Sequence, residues 1–294
     1  MQSKKEFPFD VAGHPGGPSA GNPPGFGPGG SEPDHYEDDS DLRVVRDIPY
    51  VETGESLQML DIYLPQQDAF DTFIFFHGGG FNAGDKKEAV PIARYLNRQG
   101  IAMVSVNYRV GQDVQWPAYI EDAAHAVAWV MKHMKEYGHC EKFYVGGSSA
   151  GGYLSQMLCF DRRYLGAHGI DPTELAGYIH DSGQPTAHFA SLAAKGINPS
   201  RVIVDESAPL YFVGVDEKYS PMMILVSDND LGTRLEQTQL LVATLKSFDV
   251  SEEDLVFRVM HGGHCQHTFA KDENGDSVLG KMISDFIKSR RKPF

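Results

Sequence analysis

The sequence predicts an α/β fold with a mostly parallel, twisted sheet flanked by helices. Short apolar stretches typical of buried strands alternate with segments whose apolar residues recur at helical spacing, which is the pattern of parallel strands joined by crossover helices. Several of these strands end in glycine-rich or polar turns that contain serine, acidic or histidine residues. The 294 residues, of which 41% are hydrophobic, are enough for one large domain with a substantial core.

The predicted elements follow one another in a regular order from residue 44 onward. Two antiparallel strands around a short turn begin the domain, and strands and helices alternate after them. The apolar residues at helical spacing in the second helix are assigned to the core rather than to a cofactor site. The predicted strands are 44–51, 57–64, 72–76, 101–107, 142–145, 176–180, 222–226 and 255–260, and the predicted helices are 89–99, 120–134 and 149–160.

A glycine-flanked serine follows the fifth predicted strand. The run Gly147-Ser148-Ser149-Ala150-Gly151 has the form G-x-S-x-G, and apolar residues after it predict a helix. A strand that turns this tightly into a helix holds the serine in strained geometry, and the glycines avoid steric clashes. The turn exposes the serine hydroxyl above a helix N-terminus, where free N–H groups favour negative charge. We therefore predict Ser149 as a nucleophile; the alternative is a glycine-rich connection without chemistry.

A second glycine-rich turn follows the third predicted strand. The segment 77–81 reads His-Gly-Gly-Gly-Phe, and its glycines can turn several backbone N–H groups towards one point, as an oxyanion hole requires. The glycine patterns of phosphate-binding loops do not occur here. We expect the N–H groups of Gly79 and Gly80, together with that of Ala150 after the serine, to bind an oxyanion. His77 is expected to brace the loop.

The acid and the base of a catalytic triad are expected further along the chain, each just past the end of a strand. Asp228 and Asp230 both follow the strand 222–226, and the residues alone leave both open as the acid. His264 follows the strand 255–260 in a glycine-containing turn. Because the carboxyl ends of parallel strands meet at one edge of a sheet, these side chains are expected to lie near Ser149.

Histidines at positions 261, 264 and 267 are spaced by three, which raises the alternative of a zinc site. Such spacing could bind zinc on a helix, but glycines interrupt this segment and it follows a strand. We therefore expect no metal and predict His264 as the base. Cys265 next to it is expected to be a neighbour only, since it has no elbow of its own.

With these motifs the chain resembles the α/β-hydrolases of the hormone-sensitive-lipase-like and feruloyl- and acetylxylan-esterase-like group of carboxylesterases, near the arylformamidases. Segments 104–109, 116–123 and 205–210 also resemble that group. The resemblance covers about residues 44–290. Ser148 departs from it, because lipase-like members often carry aspartate before the nucleophile.

The resemblance implies an α/β-hydrolase fold with an insertion before the acid-bearing strand. Residues 183–220 are too long for an ordinary connection, and in this family such an insertion covers the active site like a cap. The family pattern from Ser227 onward favours Asp230 as the acid, and the turn Gly262-Gly263-His264 matches the family's histidine-bearing ending.

Aromatic and polar side chains near the predicted site are candidates for the substrate pocket. An aromatic lining suits a hydrophobic acyl or aryl group, and ordinary core packing is the alternative for each aromatic residue. The candidates are Phe81, Asn82, Trp116, Gln184, His188, Phe189 and Tyr211.

These residues predict a serine hydrolase that cleaves small carboxylic esters through an acyl-enzyme intermediate, without a metal or organic cofactor. One alternative is an amidase of the arylformamidase kind that uses the same triad on a C–N bond. The other is a catalytically silent receptor of the hydrolase fold, which the complete triad disfavours. Nothing in the sequence distinguishes an ester from an N-formyl amide.

The composition limits which classes of binding partner and which cellular compartment we expect for this protein. The formal net charge of −14, from 26 basic and 40 acidic residues, disfavours nucleic-acid binding. The 3 cysteines show no close pairing, which is typical of reduced thiols in a cytoplasmic protein. No signal-peptide-like run begins the sequence, and no stretch approaches the ~20 apolar residues of a membrane-spanning helix, so we expect no membrane partner.

Residues 1–43 differ in composition from the hydrolase domain, which we assign to 44–294. Glycine and proline dominate 13–33, and 32–41 is acidic, so this arm cannot build a core and resembles a linker. Its apolar residues could pack on the hydrolase domain or on a second subunit. In the second case the protein would be a homo-oligomer through the arm.

Overall fold

One eight-stranded sheet organises the computed structural model, which describes residues 36–216 and 218–291. The strands are β1 (Arg43–Pro49), β2 (Met59–Leu64), β3 (Ala69–Phe76), β4 (Ile101–Val106), β5 (His139–Ser148), β6 (Gly177–Asp181), β7 (Met222–Asn229) and β8 (Leu255–Gly263). They lie in the order β1-β2-β4-β3-β5-β6-β7-β8. Strand β2 pairs antiparallel with β1 and β4, and the other neighbouring strands of the sheet pair in parallel. The predicted mostly parallel sheet is confirmed.

Helices cover both faces of this sheet. They are α1 (Val90–Arg98), α2 (Ala118–His133), α3 (Ala150–Phe160), α4 (Arg162–Gly166), α5 (Phe189–Ala194), α6 (Arg234–Ser247), α7 (Gln266–Phe269) and α8 (Val278–Ser289). Helices α1 and α8 share one hydrophobic core cluster with the sheet, and α2, α3 and α6 share the other. The predicted elements coincide with the observed ones to within a few residues, whereas α4, α5, α6, α7 and α8 were not predicted from the sequence.

The packing of the central strand β3 explains why the sequence of this strand is a continuous apolar run. Phe73 and Phe75 belong to the core beneath α1 and α8, whereas Ile74 and Phe76 belong to the core beneath α2 and α3. All four side chains are buried, because helices cover both faces of a parallel sheet.

The parallel part of the sheet brings five chain turns to one edge. Strands β3, β5, β6, β7 and β8 all end there, so their carboxyl ends present the glycine loop 77–81, Ser149, Asp181, Asp230 and His264 on the same side. This edge is where open α/β sheets hold their ligands.

The connection between β6 and β7 spans residues 182–221, where the sequence predicts an insertion at 183–220. It contains α5 and a 3₁₀ helix at Pro209–Phe212. Most of the predicted arm, residues 1–35, lies outside the described residues, as do the oligomer contacts expected from it.

Within 36–216 and 218–291, no helix combines the length and the apolar character needed to cross a bilayer.

Candidate active site

Ser149 lies at the turn between β5 and α3. Its backbone has φ 55° and ψ −112°, a positive φ that residues other than glycine rarely adopt. Its N–H donates to the carbonyl oxygen of Asp181 at 2.8 Å. Position 151 requires glycine, because a Cβ atom there would lie 1.9 Å from the carbonyl oxygen of Phe76. The turn therefore has the strained strand-to-helix geometry that G-x-S-x-G predicts.

A relay of two hydrogen bonds joins Ser149 to Asp230. Oγ of Ser149 lies 2.8 Å from Nε2 of His264, and Nδ1 of His264 lies 2.6 Å from Oδ1 of Asp230. The carboxylate requires a donor, so Nδ1 donates to it and Nε2 is left to accept from the serine hydroxyl. Burial alone would raise the pKa of Asp230, but the hydrogen bond from His264 and the charge of Arg234 help to lower it overall, so the acid stays ionised.

The flanking histidines of the 261–267 segment bind other carboxylates. His261 is almost fully exposed, with Nδ1 at 2.8 Å from Oδ2 of Asp228, whereas buried His267 places Nε2 at 2.7 Å from Oδ1 of Asp181. The three imidazoles therefore do not converge. Across the described ranges, no group of three or more His, Cys, Asp or Glu side chains could hold a metal ion.

The glycine loop presents free N–H donors next to Ser149. A Cβ atom added to the second residue of the loop would lie 3.4 Å from Cβ of Ser149, so the two segments are in contact. In the part of the chain that the structure describes, the N–H groups of Gly79, Gly80 and Ala150 have no hydrogen-bond acceptor. Three backbone donors without an acceptor thus lie in the two turns that meet at Ser149.

His77 holds the glycine loop in place. Its Nδ1 donates to the carbonyl oxygen of Gly78 at 2.7 Å, and its ring stacks on Tyr108 with centroids 4.4 Å apart. The Tyr108 hydroxyl donates back to the carbonyl oxygen of His77 at 2.7 Å. Burial lowers the pKa of His77 to about 4, so the imidazole is neutral and acts as a brace.

A second buried network lies next to the serine turn. Asp181, at the end of β6, accepts from Nε2 of His267 at 2.7 Å, from the Ser148 hydroxyl at 2.6 Å and from the Thr268 hydroxyl at 2.6 Å. Burial alone would raise the pKa of Asp181, but the hydrogen bond and the charge of His267 lower it overall. Burial lowers the pKa of His267, but the hydrogen bond and the charge of Asp181 raise it overall. Asp181 and His267 therefore form a buried pair, which is an ion pair at pH values below the raised pKa of His267.

Sequence reasoning gave this ion pair no role. The available signal was an acidic residue directly after a buried strand, at the same sheet edge as the predicted site. Ser148 was noted only as a departure from the family, and its hydroxyl bond to Asp181 explains how serine is accommodated at that position.

Ser149 and His264 face a cavity of about 420 Å³, which we call the serine cavity. Its polar lining includes the glycine loop and Glu88, whose pKa is raised by burial although its hydrogen bond with Asp85 lowers it. Cys265 also lines it; burial raises the pKa of this thiol, which therefore stays protonated beside His264. The apolar lining residues are Phe75, Ile92, Leu231 and Phe269.

A larger cavity of about 810 Å³ lies beside the serine cavity, and Leu231 lines both. We call it the arginine cavity, after Arg201 and Arg234 in its lining. His188, a further candidate, is buried against the ring of Phe81, with centroids 4.5 Å apart. The predicted pocket residues that line the cavity are Phe81, Asn82, Trp116, Gln184 and Phe189.

Tyr211 lines neither cavity, and this expectation from the sequence is wrong. It lies in the 3₁₀ helix Pro209–Phe212, where Pro209 and Phe212 are the buried residues. Tyr211 therefore occupies the solvent side, with 49% of its surface exposed, and its ring packs edge-on against Phe212.

Comparison with known proteins finds sequence relatives among ester hydrolases and a formamidase. The BD-FAE family model matches residues 60–165. Carboxylic ester hydrolase LipN of Mycobacterium tuberculosis is 37% identical over 109 residues, which are 36% of this chain and 29% of LipN. Esterase LipQ of the same organism is 32% identical over 269 residues, 82% of this chain and 61% of LipQ. Kynurenine formamidase of Danio rerio is 30% identical over 119 residues, 40% of this chain and 39% of the formamidase. This chain thus spans less than two thirds of each relative.

A solved structure supports the fold independently. The truncated form of a carbohydrate esterase from gut microbiota matches with a TM-score of 0.68 at 20% identity, covering 89% of this chain and 99% of the other. Sheet order and serine turn agree with this match, and the chain has the α/β-hydrolase fold; its sequence is similar to those of carboxylic ester hydrolases and of a kynurenine formamidase.

Proposed function

We propose that this protein hydrolyses small carboxylic esters through an acyl-enzyme intermediate on Ser149. The observation that carries the proposal is the unbroken relay from Asp230 through His264 to Ser149, with bonds of 2.6 and 2.8 Å at a strained turn. The relatives named as esterases support an ester as the substrate.

Acylation uses each member of the relay in a distinct role. Oγ of Ser149 attacks the ester carbonyl carbon while Nε2 of His264 takes the hydroxyl proton as general base. The Asp230 carboxylate keeps the imidazole in the required tautomer and stabilises the imidazolium. The C–O bond then breaks as His264 returns the proton to the departing alcohol.

The free backbone donors stabilise the charge that develops on the carbonyl oxygen. In the tetrahedral intermediate this oxygen is an anion, which the N–H groups of Gly79, Gly80 and Ala150 bind without first breaking other hydrogen bonds. In deacylation, water gives a proton to His264 and attacks the acyl carbon. The bond from that carbon to Oγ of Ser149 then breaks as His264 returns the proton to Oγ, and the carboxylic acid is released.

Covalent labelling tests the proposal directly. Purified protein should hydrolyse 4-nitrophenyl acetate, and a fluorophosphonate should add one adduct, located at Ser149 by peptide mass spectrometry. Ser149→Ala should lose both hydrolysis and labelling, while Ser148→Ala, which retains the nucleophile, should still be labelled. An active Ser149→Ala protein, or an adduct on Ser148, would contradict the assignment.

A formamide is the second candidate substrate, and the match to kynurenine formamidase favours it. The same relay can protonate an amine leaving group, so geometry at Ser149 permits both reactions. Values of kcat/KM for 4-nitrophenyl acetate and N-formylkynurenine decide between them.

A further inference from the structure

The arginine cavity is positively charged in a strongly acidic protein. The chain has a net charge of −14, yet the charged residues that line this cavity are Lys195, Arg201 and Arg234. No aspartate or glutamate of the described ranges 36–216 and 218–291 is among its lining residues. The charge of the cavity is therefore opposite to that of the protein as a whole.

Arg234 is buried without a counter-ion. Its side chain is almost inaccessible to solvent, and its guanidinium donates to the carbonyl oxygen of Ser182 and, at 3.2 Å, to Oε1 of Gln184. It makes no salt bridge with a carboxylate of the described residues, and Asp230, whose charge acts on it from a distance, is bonded to His264. Burial lowers the pKa of Arg234, as expected for a cation removed from water.

The first turn of α6 belongs to the same wall of the cavity. Gly232, Thr233 and Gln237 line the cavity together with Arg234. Thr233 is the N-cap residue of this 14-residue helix but makes no side-chain capping bond. The N–H of Arg234 donates to the carbonyl oxygen of Leu231, and the N–H groups of Leu235 and Glu236 have no acceptor among the described residues. The positive end of a helix is an unfavourable place for a lone cation, and an anion would be stabilised by both.

Aromatic side chains form much of the remaining wall. Phe81 and Phe189 lie there with Trp116, and Nζ of Lys195 is 5.6 Å from the centroid of the Trp116 ring. A Cβ atom added to Gly80 would lie 3.2 Å from the Phe189 ring, so the glycine loop separates this cavity from the serine cavity. Leu231 lines both cavities, so a substrate that reacts at the serine would extend its aromatic arm past Leu231 into the arginine cavity.

We propose that the arginine cavity binds a carboxylate, so that the preferred substrates are small aromatic esters that carry one free carboxylate group. The inference rests on the proposed ester hydrolysis and adds the substrate class. Arginine binds carboxylates through parallel charged hydrogen bonds, and the positive end of the α6 dipole favours an anion at this wall. A singly charged carboxylate fits better than a phosphate dianion, because the dianion would lose more hydration against aromatic walls.

Matched pairs of esters test the preference on the unmodified protein. The first pair is 4-acetoxybenzoate and 4-acetoxybenzamide, with the charge on the alcohol arm. The second is monomethyl terephthalate and methyl 4-carbamoylbenzoate, with the charge on the acyl arm. We expect kcat/KM to favour the carboxylate about 10- to 100-fold in at least one pair, and added salt to reduce that ratio.

Variants then identify which positive charge causes the preference for the carboxylate. Arg234→Gln should reduce the carboxylate-to-amide ratio about tenfold or more, whereas Arg258→Gln, which removes the same charge from an exposed position on β8 outside both cavities, should leave the ratio unchanged. If Arg234→Gln does not fold, Lys195→Gln and Arg201→Gln at exposed positions of the lining should lower the ratio by a smaller factor.

Different results would contradict this inference and the proposed function. Hydrolysis of the amide esters at least as fast as both carboxylates would overturn the inference and leave ester hydrolysis standing. Faster cleavage of 4-acetoxyphenyl phosphate than of 4-acetoxybenzoate would also overturn it, in favour of a phosphate. No hydrolysis of any ester, neutral or charged, would instead overturn the proposed function.

Discussion

Nε2 of His267 and Oδ1 of Asp181 lie 2.7 Å apart, and the backbone of the same aspartate accepts the N–H of Ser149. Asp181 ends β6, and His267 lies in α7, three residues beyond His264. The pair therefore ties the chain segment that contains the proposed base to the turn that contains the proposed nucleophile. Its strength should determine how well the two halves of the relay stay aligned.

Removing the acid of this pair should be costly. We expect Asp181→Asn to lower the free energy of unfolding by about 3–5 kcal/mol, because His267 is left buried without its counter-charge. Urea denaturation measures this loss. Asp228→Asn is the matched control, since Asp228 makes a similar 2.8 Å bond to an exposed His261 and its removal should change stability little. Equal effects of the two variants would contradict the prediction.

Stability should also depend on pH in a direction set by this pair. The pKa of His267 is raised above 6.5, so its contribution is complete below about pH 6.5 and is lost as pH rises through the raised pKa. The pKa of Asp181 is lowered from 3.8, so its contribution is present above that value and is lost as pH falls through the lowered pKa. The stability difference between wild type and Asp181→Asn should therefore shrink from pH 6 to pH 9, and a constant difference would refute the assignment.

Activity separates the two candidate acids. Asp230→Asn should reduce kcat by a factor on the order of 10⁴, because His264 loses the carboxylate that fixes its tautomer. Asp228→Asn should retain most activity, since its partner His261 has no bond to Ser149. Steady-state kinetics with 4-nitrophenyl acetate measures both, and circular dichroism checks that each variant is folded. A loss of activity in Asp228→Asn as large as that expected for Asp230→Asn would contradict the assignment of Asp230 as the acid.

The close approach at position 151 makes a prediction about folding. Gly151→Ala should destabilise the protein by more than about 3 kcal/mol, because the new methyl group would meet the fixed carbonyl oxygen of Phe76 at 1.9 Å. Gly166→Ala at the end of α4 is the control, since no atom lies within 4 Å of its added Cβ. Thermal melting should show a large loss for the first variant and little change for the second.

Residues whose role depends on local turn chemistry could be predicted from the sequence. The tight turn at Ser149 and the glycine loop at 77–81 require particular residues at fixed spacing, so their patterns identify them without a structure. Asp228 and Asp230 are two residues apart in one turn, so local spacing does not show which of them meets His264. The three-dimensional structure does, because Asp230 points to His264 and Asp228 to His261.

Features that depend on strand neighbours could not be read from the chain. Asp181 meets His267 only because β6 lies between β5 and β7, a relationship that no local pattern encodes.

Two of the unpredicted helices were missed for different reasons. Helix α6 buries Arg234 and Thr238 together with leucines, so its apolar period is interrupted. Helix α8, in contrast, has a regular apolar stripe that includes Leu279 and Ile283, and this signal was available but unused.

The regular spacing of the histidines at 261, 264 and 267 limits how far the length of this segment can change. The first, second and third of them reach three different carboxylates, at the ends of β6 and β7, so this short segment is held at three points along its length. One residue inserted after Gly262 would displace His264 and His267 together and break two buried contacts at once. Insertions and deletions should therefore be tolerated in the β6–β7 connection long before they are tolerated here.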